Sequence, residues 1–240
     1  MAYLAADKTV NDLFGRAEVV SIGDGVWRVH PLPSHDQLAT YYSTMYWATR
    51  SDTTTLLKHR DIGQYQCLKP YLDTNSQIHS RRAINFGSGH GGVSQLLSAA
   101  GYSTTNVDMY DAKIPNCLHL LQLDKFQGTC SVFFASHSLE HVRSLTEIWD
   151  FVSDHLDADG VIFVEVPNSE YREYSIRSGN VNRPKIQPPH TYYLTRRYFE
   201  TLPFEILELG IYSYVTPYGQ RVESVDDGEV IRFIARLPSR

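Results

Sequence analysis

Four glycines follow a short apolar run in the stretch AINFGSGHGG, residues 83–92. The apolar run, residues 83–86, is predicted to be a strand, and a helix is predicted over residues 91–100. A glycine loop between a strand and a helix exposes backbone N–H groups, and the helix adds the positive end of its dipole. The stretch therefore predicts a binding site for an anionic group of a cofactor.

The glycine spacing fits two cofactors. Gly87, Gly89 and Gly92 form the G-x-G-x-x-G pattern of a dinucleotide site, in which the helix end binds a pyrophosphate. Gly87, Gly89 and Gly91 form a G-x-G-x-G pattern, in which the same end faces the carboxylate of S-adenosylmethionine (SAM). Either cofactor needs an acid after the second strand to bind ribose hydroxyls, and Asp108 stands 21 residues after Gly87. The loop and this acid leave both cofactors open.

A second group of reactive side chains follows the strand predicted over residues 131–135. His137, Glu140 and His141 are spaced i, i+3 and i+4, so on a helix they would share one face that begins where this strand ends. A helix is predicted over residues 139–156. A neutral imidazole can take a proton from a hydroxyl near pH 7, which makes His141 or His137 a candidate general base. The three residues could instead hold a divalent metal, or they could fix the helix to neighbouring loops. We expect no metal, because magnesium prefers oxygen ligands.

His190 is a further candidate. It stands in the stretch QPPHTYY, after a loop over residues 167–189 whose prolines favour an extended chain. It could also cap the short helix that follows. Within this loop, residues 171–189 carry four basic residues and one acidic residue, a net charge of +3. Guanidinium groups fit phosphate or carboxylate oxygens, so Arg177 and Arg183 are expected to bind an anionic substrate, with incidental surface charge as the alternative.

These candidates lie where predicted strands and helices alternate, which implies a parallel sheet with helices on both faces. Besides the elements above, the predicted strands are 104–107, a weak one within 118–123, 161–166, 205–210 and 230–237, and a short helix is predicted over 195–202. Earlier in the chain, two short strands surround a Gly-Asp-Gly turn, Ser34 is a plausible N-cap, and residues 56–72 read as a helix. We therefore expect an N-terminal extension with lid helices, residues 1–80, and one cofactor-binding domain, residues 81–240.

Composition narrows the possible partners. The 240 residues carry a net charge of −5 and no long basic run, which argues against nucleic acid or an acidic membrane surface as a partner. The three cysteines form no C-x-x-C pair, which disfavours a zinc site or a disulfide framework and suits a reducing cytoplasm. The N-terminus lacks the apolar segment of a signal peptide, and no apolar run approaches the ~18 residues of a membrane span. We expect a cytoplasmic location and no membrane insertion.

Three stretches together resemble the class I SAM-dependent methyltransferases. SVFFASHSLEHV, residues 131–142, contains the LEHV sequence that a large group of these enzymes carries after strand four. HTYYLTRRYFETL, residues 190–202, resembles the helix with an H…T…F…L pattern that follows strand five in that group. LPSHDQLATYYSTMYW is similar to the N-terminal segment of some members. The resemblance covers residues 82–210, just over half of the chain.

The resemblance implies a Rossmann-like, doubly wound, mostly parallel seven-stranded sheet whose last strand, residues 230–237, is antiparallel. SAM would lie at the carboxyl ends of strands one and two, and S-adenosylhomocysteine (SAH) would be the product. The positions that match the family's glycine loop, ribose acid, adenine contact, strand-four end and covering aromatic residues are Gly87, Ser88, Gly89, Gly91, Asp108, Met109, Ser136, His137, Tyr42 and Tyr46. His190 would border the acceptor.

The sequence departs from the family at three positions. Asn85 stands where an acid usually precedes the first glycine by two residues, and Ser131 replaces the acid of strand four. The acid that often meets the adenine amino group has Asp124 as its nearest candidate. These departures leave room for a SAM-binding protein without activity.

We expect a SAM-dependent methyltransferase that modifies an oxygen atom of a small molecule or glycan, which would be anionic if Arg177 and Arg183 bind it. A hydroxyl acceptor must lose its proton, which favours a histidine base. The catalytic candidates are His141, His190, His137 and Glu140. An NAD-dependent oxidoreductase with the same glycine loop and a non-catalytic SAM-binding module are the alternatives.

Overall fold

The computed structural model describes residues 12–46, 57–73, 80–111, 113–172, 174–178, 181–187, 189–215, 220–223 and 227–239. The strands are β1 (Glu18–Gly23), β2 (Val26–His30), β3 (Arg82–Phe86), β4 (Ser103–Val107), β5 (Cys117–Leu120), β6 (Cys130–Ser136), β7 (Leu156–Pro167), β8 (Ser175–Ser178), β9 (Val181–Pro184), β10 (Tyr192–Leu194), β11 (Glu205–Val215), β12 (Gln220–Glu223) and β13 (Val230–Arg236). The helices are α1 (His35–Thr40), α2 (His59–Asp73), α3 (Gly92–Ala99), α4 (Leu145–His155) and α5 (Arg196–Glu200).

The main sheet has eight strands in the order β12-β11-β13-β7-β6-β3-β4-β5. Strands β7, β6, β3, β4 and β5 are parallel neighbours, whereas β13 is antiparallel to both β7 and β11. This order confirms the predicted doubly wound, mostly parallel sheet with an antiparallel last strand. The four-residue strand β12 pairs with β11 and adds an eighth strand at one edge of the expected seven.

Helices cover both faces of the sheet. Because successive strand residues point to opposite faces, Phe133 packs in one core cluster and Phe134 in the other. The cluster around Phe133 includes Trp149 of α4, and the cluster around Phe134 includes Leu68 of α2 and Leu97 of α3. The helix α2 therefore packs on the sheet, and a domain boundary at residue 80 stays a prediction.

A smaller sheet and a hairpin stand beside the main sheet. The predicted N-terminal hairpin is present as β1 and β2, and β2 pairs in turn with β10. This pairing brings the N-terminal part of the chain against the segment that follows β7. Part of the segment predicted as a loop over 167–189 forms a second hairpin, β8 and β9.

One predicted helix is wrong at its start. A single helix was predicted over residues 139–156, but residues Leu139–His141 form a short 3₁₀ turn and the α-helix begins at Leu145. The reason is local: Val142 and Ser144 have extended backbone, and the Ser144 hydroxyl accepts a hydrogen bond from Glu147 N (3.2 Å) as an N-cap. The histidines and glutamate before it therefore do not share a helix face.

The predicted N-cap at Ser34 is present. Its hydroxyl accepts from Gln37 N, and the Gln37 side chain accepts from Ser34 N, which completes a capping box at the start of α1. The helix continues through a π-helical stretch, Tyr41–Tyr46. Among the described residues, no helix has the length and apolarity to cross a bilayer.

Candidate active site

A cavity of about 710 Å³ opens where β3, β4 and β6 end. The glycine turn follows β3, Asp108 follows β4, and His137 follows β6, because parallel strands end at the same edge of a sheet. The residues predicted to bind cofactor or to act in catalysis line this cavity: Gly87, Ser88, Gly89, Gly91, Asp108, Met109, Ser136, His137, Tyr42, Tyr46, Glu140, His141 and His190. The structure brings these candidates together, and their individual roles stay predictions.

The glycine turn needs glycine for two separate reasons. Gly87, Gly89 and Gly91 have φ values of +68°, +52° and +67°, which side-chain-bearing residues rarely adopt. A Cβ on Gly87 would also lie 2.0 Å from Ser138 Oγ, and a Cβ on Gly91 would lie 1.6 Å from Ile114 Cδ1. Gly91 is the N-cap of α3 and lines the cavity together with Gly92 and Val93, so a helix N-terminus lies at the cavity wall.

Asp108 holds the glycine turn in place. Its Oδ2 accepts a hydrogen bond from Gly89 N (2.8 Å), and its Oδ1 accepts one from Tyr110 N (2.8 Å). Burial raises the pKa of Asp108, while the two backbone donors favour its ionised form and oppose that shift. A carboxylate oxygen can accept more than one hydrogen bond, so Asp108 keeps acceptor capacity toward the cavity.

A buried polar network that the sequence analysis missed lies behind the end of β6. Gln64 of α2 donates from Nε2 to Ser136 Oγ (2.6 Å) and to Glu165 Oε2 (2.5 Å). Glu165 also accepts from Arg232 Nε (2.9 Å), and both of these charged residues are almost completely buried. An acid inside VIFVEV and an arginine inside VIRFIA, two otherwise apolar strands, were the sequence signal for this pair. The network fixes α2 against the strand end that carries Ser136.

Glu140 is the centre of a cluster with His137, His141 and His190, which we call the imidazole cluster. Its Oε1 lies 3.6 Å from His137 Nδ1 and 3.7 Å from His141 Nε2. The ring of His190 stands almost perpendicular to that of His141, with centroids 4.7 Å apart. The grouping predicted from helical spacing therefore exists in space, although a 3₁₀ turn creates it and His190 joins it.

Thr191 explains how two distant parts of the sequence meet in this cluster. Its backbone N and its hydroxyl both donate to the carbonyl oxygen of Glu140, at 2.7 and 2.9 Å. On the other side, Val29 N of β2 donates to the Thr191 carbonyl (2.9 Å). Thr191 is completely buried, so the turn that carries Glu140 and His141 is fixed beside the segment that carries His190.

Burial dominates the electrostatics of the cluster. Burial lowers the pKa of His141, and Glu140 partly opposes this shift. Burial, together with the neighbouring His141 and His137, lowers the pKa of His190 well below its usual range. Burial also raises the pKa of the Glu140 carboxyl, with His141 opposing. Both imidazoles are therefore unprotonated near pH 7, and each offers one nitrogen lone pair.

Aromatic residues from the π-helical stretch form part of the cavity wall. The ring of Tyr42 meets the ring of His141 edge-on at 5.9 Å between centroids, and the Tyr46 ring lies 5.4 Å from that of Tyr42. Burial, followed by the nearby Glu140, raises the pKa of Tyr42 well above its usual value. Tyr42 is thus a neutral phenol beside the cluster, and contact of Tyr42 or Tyr46 with a cofactor stays a prediction.

The two arginines predicted to bind substrate lie on the second hairpin. The register places Arg177 opposite Asn182 and Arg183 opposite Ile176. Tyr174 and Gln187, which stand just before and just after the hairpin, line the cavity. The hairpin therefore begins at the cavity wall, while the side chains of both arginines lie outside the described part of the chain.

The three residues that depart from the family pattern, Asn85, Ser131 and Asp124, each form a hydrogen bond or an ion pair within the protein. Asn85 donates to Ser94 Oγ (2.7 Å), and Ser94 donates to Asn106 Oδ1 (2.5 Å), which joins β3, α3 and β4 without an acid. Ser131 is buried and donates to the carbonyl of Arg82. Asp124 is exposed and pairs with Lys125 (2.9 Å), so its carboxylate is engaged by a neighbouring cation.

Comparison with known proteins decides the family. The sequence model of a family described as methyltransferase domain matches residues 58–216, about two thirds of the chain. The chain belongs to this family. The family match confirms the prediction of a SAM-dependent methyltransferase and decides against the alternative of an NAD-dependent oxidoreductase. No curated protein matched the sequence of this methyltransferase.

Two solved structures with TM-scores above 0.5 support the fold of the methyltransferase. A SAM-dependent methyltransferase from Clostridium acetobutylicum is 10% identical, with a TM-score of 0.52, and the match covers 85% of this chain and 99% of that one. A Listeria monocytogenes protein assigned as a SAM-dependent methyltransferase is 14% identical, with a TM-score of 0.52, covering 74% and 99%. TehB from Haemophilus influenzae is 15% identical with a TM-score of 0.49, covering 71% of this chain and 62% of TehB.

The residues at the glycine turn fit SAM. The positive φ values of Gly87, Gly89 and Gly91 shape the turn, and these glycines line the cavity beside the N-terminus of α3. Asp108 offers carboxylate oxygens beside the turn, and Met109, which is 51% exposed, lines the same cavity. SAM carries a carboxylate, which suits the N-terminus of α3, and ribose hydroxyls, which can donate to Asp108. Its apolar adenine face suits the thioether of Met109.

Proposed function

We propose that this methyltransferase transfers the methyl group of SAM to an oxygen atom of a small-molecule or glycan acceptor. The observation that carries the proposal is one cavity lined by both the glycine turn with Asp108 and the cluster of Glu140, His141 and His190. The first part has the chemistry to hold SAM, and the second has the chemistry to receive a proton from a hydroxyl. A cavity of about 710 Å³ has room for a small acceptor or for the end of a glycan beside the cofactor.

When bound, SAM supplies a methyl group that the positive sulfonium already activates. The work of the protein is therefore alignment and the exclusion of water. We assign the N-terminus of α3 to the carboxylate of SAM and Asp108 to the ribose hydroxyls. Gln64 holds Ser136 by a hydrogen bond at the end of β6, and Ser136 would pass the methionine part of SAM.

A hydroxyl acceptor must lose its proton as its oxygen forms the bond to the methyl carbon. The S–C bond breaks in the same displacement and leaves SAH. We assign acceptance of this proton to His141 and His190, because both imidazoles are unprotonated and both line the cavity. Glu140 lies beside His141 and would stabilise the positive charge that develops on its imidazole.

Replacing Asp108 with alanine is expected to weaken SAM binding by about 1–3 kcal/mol, the cost of losing hydrogen bonds to a charged acceptor. Titration calorimetry with SAM measures this effect. Asp111→Ala is the matched control, since Asp111 lies three residues away and its carboxylate pairs with Lys113. Unchanged SAM affinity in a folded Asp108→Ala protein would remove Asp108 from the cofactor site.

Replacing Arg177 and Arg183 together with alanine is expected to raise the KM for an anionic acceptor and to leave SAM affinity unchanged. The reason is that both lie on the hairpin that begins at the cavity wall, and screening by salt should raise the same KM in the unmodified protein. Arg172→Ala is the control, because Arg172 is exposed and pairs with Asp227 (3.1 Å). A neutral acceptor with salt-independent kinetics would contradict the role of these arginines.

The proposed function is tested with methyl-labelled SAM and fractionated small-molecule and glycan extracts. Label should appear in a product whose new methyl carbon is bonded to oxygen by NMR. Transfer to nitrogen or carbon would refute the oxygen acceptor while keeping the enzyme class. SAM binding without turnover across all fractions would instead support a non-catalytic SAM-binding module.

A further inference from the structure

We propose that Glu140, His141 and His190 form a binding site for one divalent transition-metal ion of the zinc type, at the wall of the cavity. The inference rests on the proposed function only for its consequence: with an ion bound, the lone pairs of His141 and His190 are occupied, so the ion itself, rather than a free imidazole, would promote loss of the acceptor's proton. The site itself stands on the geometry of three side chains, and it revises the expectation from the sequence that no metal binds here.

The three residues already have the spacing of a ligand set. Their candidate ligand atoms, one imidazole nitrogen from each histidine and one carboxylate oxygen, all lie within 4.8 Å of one another. The Glu140 Oε1 to His141 Nε2 distance is 3.7 Å. Ligand atoms bound about 2.1 Å from a tetrahedral ion are about 3.4 Å apart, so modest side-chain movements would complete the geometry.

Glu140 gives an independent reason to expect a cation. Its Oε2 is buried, and across the described residues no hydrogen-bond donor reaches it. The side chain as a whole is only 3% exposed. An unpaired buried carboxylate oxygen is costly, whereas bonding to a cation satisfies it. A metal ion between Glu140 and the two imidazoles would therefore relieve a cost that the protein otherwise bears.

The donor set selects the kind of ion. Two imidazole nitrogens and one carboxylate oxygen suit zinc, cobalt or nickel, whereas magnesium and calcium prefer sites built from oxygen alone. Three protein ligands leave at least one coordination position open. Because all three residues line the cavity, that position would face the space proposed for the acceptor.

The local fold keeps the ligands together whether or not an ion is bound. Thr191 bonds the Glu140 carbonyl twice and precedes Tyr192, whose hydroxyl donates to the Arg143 carbonyl (3.0 Å). The 3₁₀ turn and the segment with His190 are therefore joined on both sides of the cluster. A preformed set of ligands lowers the ordering cost of binding an ion.

The test uses the untagged 240-residue chain, freed of metal with a chelator and dialysed. Calorimetry with Zn²⁺ should show one site per chain, and Co²⁺ should produce visible d–d absorption bands that Zn²⁺ abolishes. Mg²⁺ should neither bind tightly nor displace Co²⁺. Loss of a residue that only hydrogen-bonds to a metal ligand weakens metal binding about 10–100-fold. Glu140→Gln and His190→Ala should each weaken Zn²⁺ binding by more than this.

Two controls match these variants. Glu147→Gln removes an exposed carboxylate that lines the same cavity, and His155→Ala removes an imidazole whose Nδ1 instead bonds the Gly128 carbonyl (2.7 Å). Both should keep full Zn²⁺ affinity. SAH binding by every variant reports whether the cofactor part of the fold is intact.

The outcomes separate this inference from the proposed function. Absence of a tight 1:1 site, or Zn²⁺ binding that survives both ligand variants, overturns the metal site, and methyl transfer by the metal-free protein would then leave the proposed function standing. Tight Zn²⁺ binding that requires Glu140 and His190, without methyl transfer to any oxygen, would support the metal site and refute the proposed function.

Discussion

The His141→Ala protein is expected to show a kcat about 10²–10⁴-fold lower than the unmodified enzyme, the usual contribution of a positioned group that handles a proton. Its SAM affinity should be unchanged, because His141 belongs to the cluster around Glu140, whereas we assign the cofactor to the glycine turn and Asp108. Single-turnover kinetics with labelled SAM, together with calorimetry, would measure the two quantities separately. His190→Ala should likewise lower kcat and leave SAM affinity unchanged, since the two rings are in contact at 4.7 Å between centroids.

A purely structural role for His141 predicts a different pattern. If the ring only filled space next to Tyr42 and His190, replacement by a similar-sized residue such as asparagine would preserve kcat, and added imidazole would have no effect. We expect Asn to fail and added imidazole to restore part of kcat in the alanine protein. His155→Ala is the control for loss of an imidazole, because His155 stacks on Phe151 at the end of α4. Normal turnover in both His141→Ala and His190→Ala would remove these histidines from the mechanism.

The cofactor part of the site was predictable because it depends on local sequence. Gly87, Gly89 and Gly91 follow a strand that its apolar residues define, and Asp108 follows the next strand, so one sheet edge must hold them all. The observed positive φ values and the Asp108–Gly89 hydrogen bond agree with this reasoning. The alternation of strands and helices predicted the parallel sheet with helices on both faces, whereas the antiparallel last strand was implied by the resemblance to the family.

The contacts of the imidazole cluster could not be predicted from local sequence patterns. Helical spacing grouped His137, Glu140 and His141 correctly but for the wrong reason, since Val142 and Ser144 are extended and a new helix starts at Leu145. The contact between His141 and His190 joins residues 49 positions apart. It depends on pairing of β10 with β2 and on the buried hydrogen bonds of Thr191, and neither leaves a periodic pattern in the sequence.

Gln64 is a second residue whose contacts could not be predicted from the sequence. It lies on α2, where an amide reads as an ordinary polar helix position, yet it is almost completely buried and bonds both Ser136 and Glu165. Only the packing of α2 on the sheet decides that this amide faces inward. The buried Glu165–Arg232 pair was better signalled, because each charge interrupts an apolar strand and must find a partner.

Replacing Gly87 with alanine is expected to weaken SAM binding by about tenfold or more, because a side-chain-bearing residue in the left-handed region costs about 1–3 kcal/mol. The new Cβ would also lie 2.0 Å from Ser138 Oγ and 2.5 Å from Ser138 Cβ. Ser138 cannot move freely, since its hydroxyl bonds the carbonyls of Phe86 (3.0 Å) and Ser136 (3.1 Å). The loop must therefore rearrange, and the N–H groups that we assign to the SAM carboxylate would lose their positions.

Gly101→Ala separates this effect from general backbone strain. Gly101 also has a positive φ, +88°, but it stands after α3, away from the glycine turn, and the atom nearest to its added Cβ is the flexible tip of Arg81 at 3.4 Å. Thermal unfolding should show that both substitutions reduce stability, whereas calorimetry should show weakened SAM binding for Gly87→Ala alone. Equal SAM affinity in the two proteins would mean that the turn after β3 does not hold the cofactor, and the assignment of α3 to the carboxylate would fail with it.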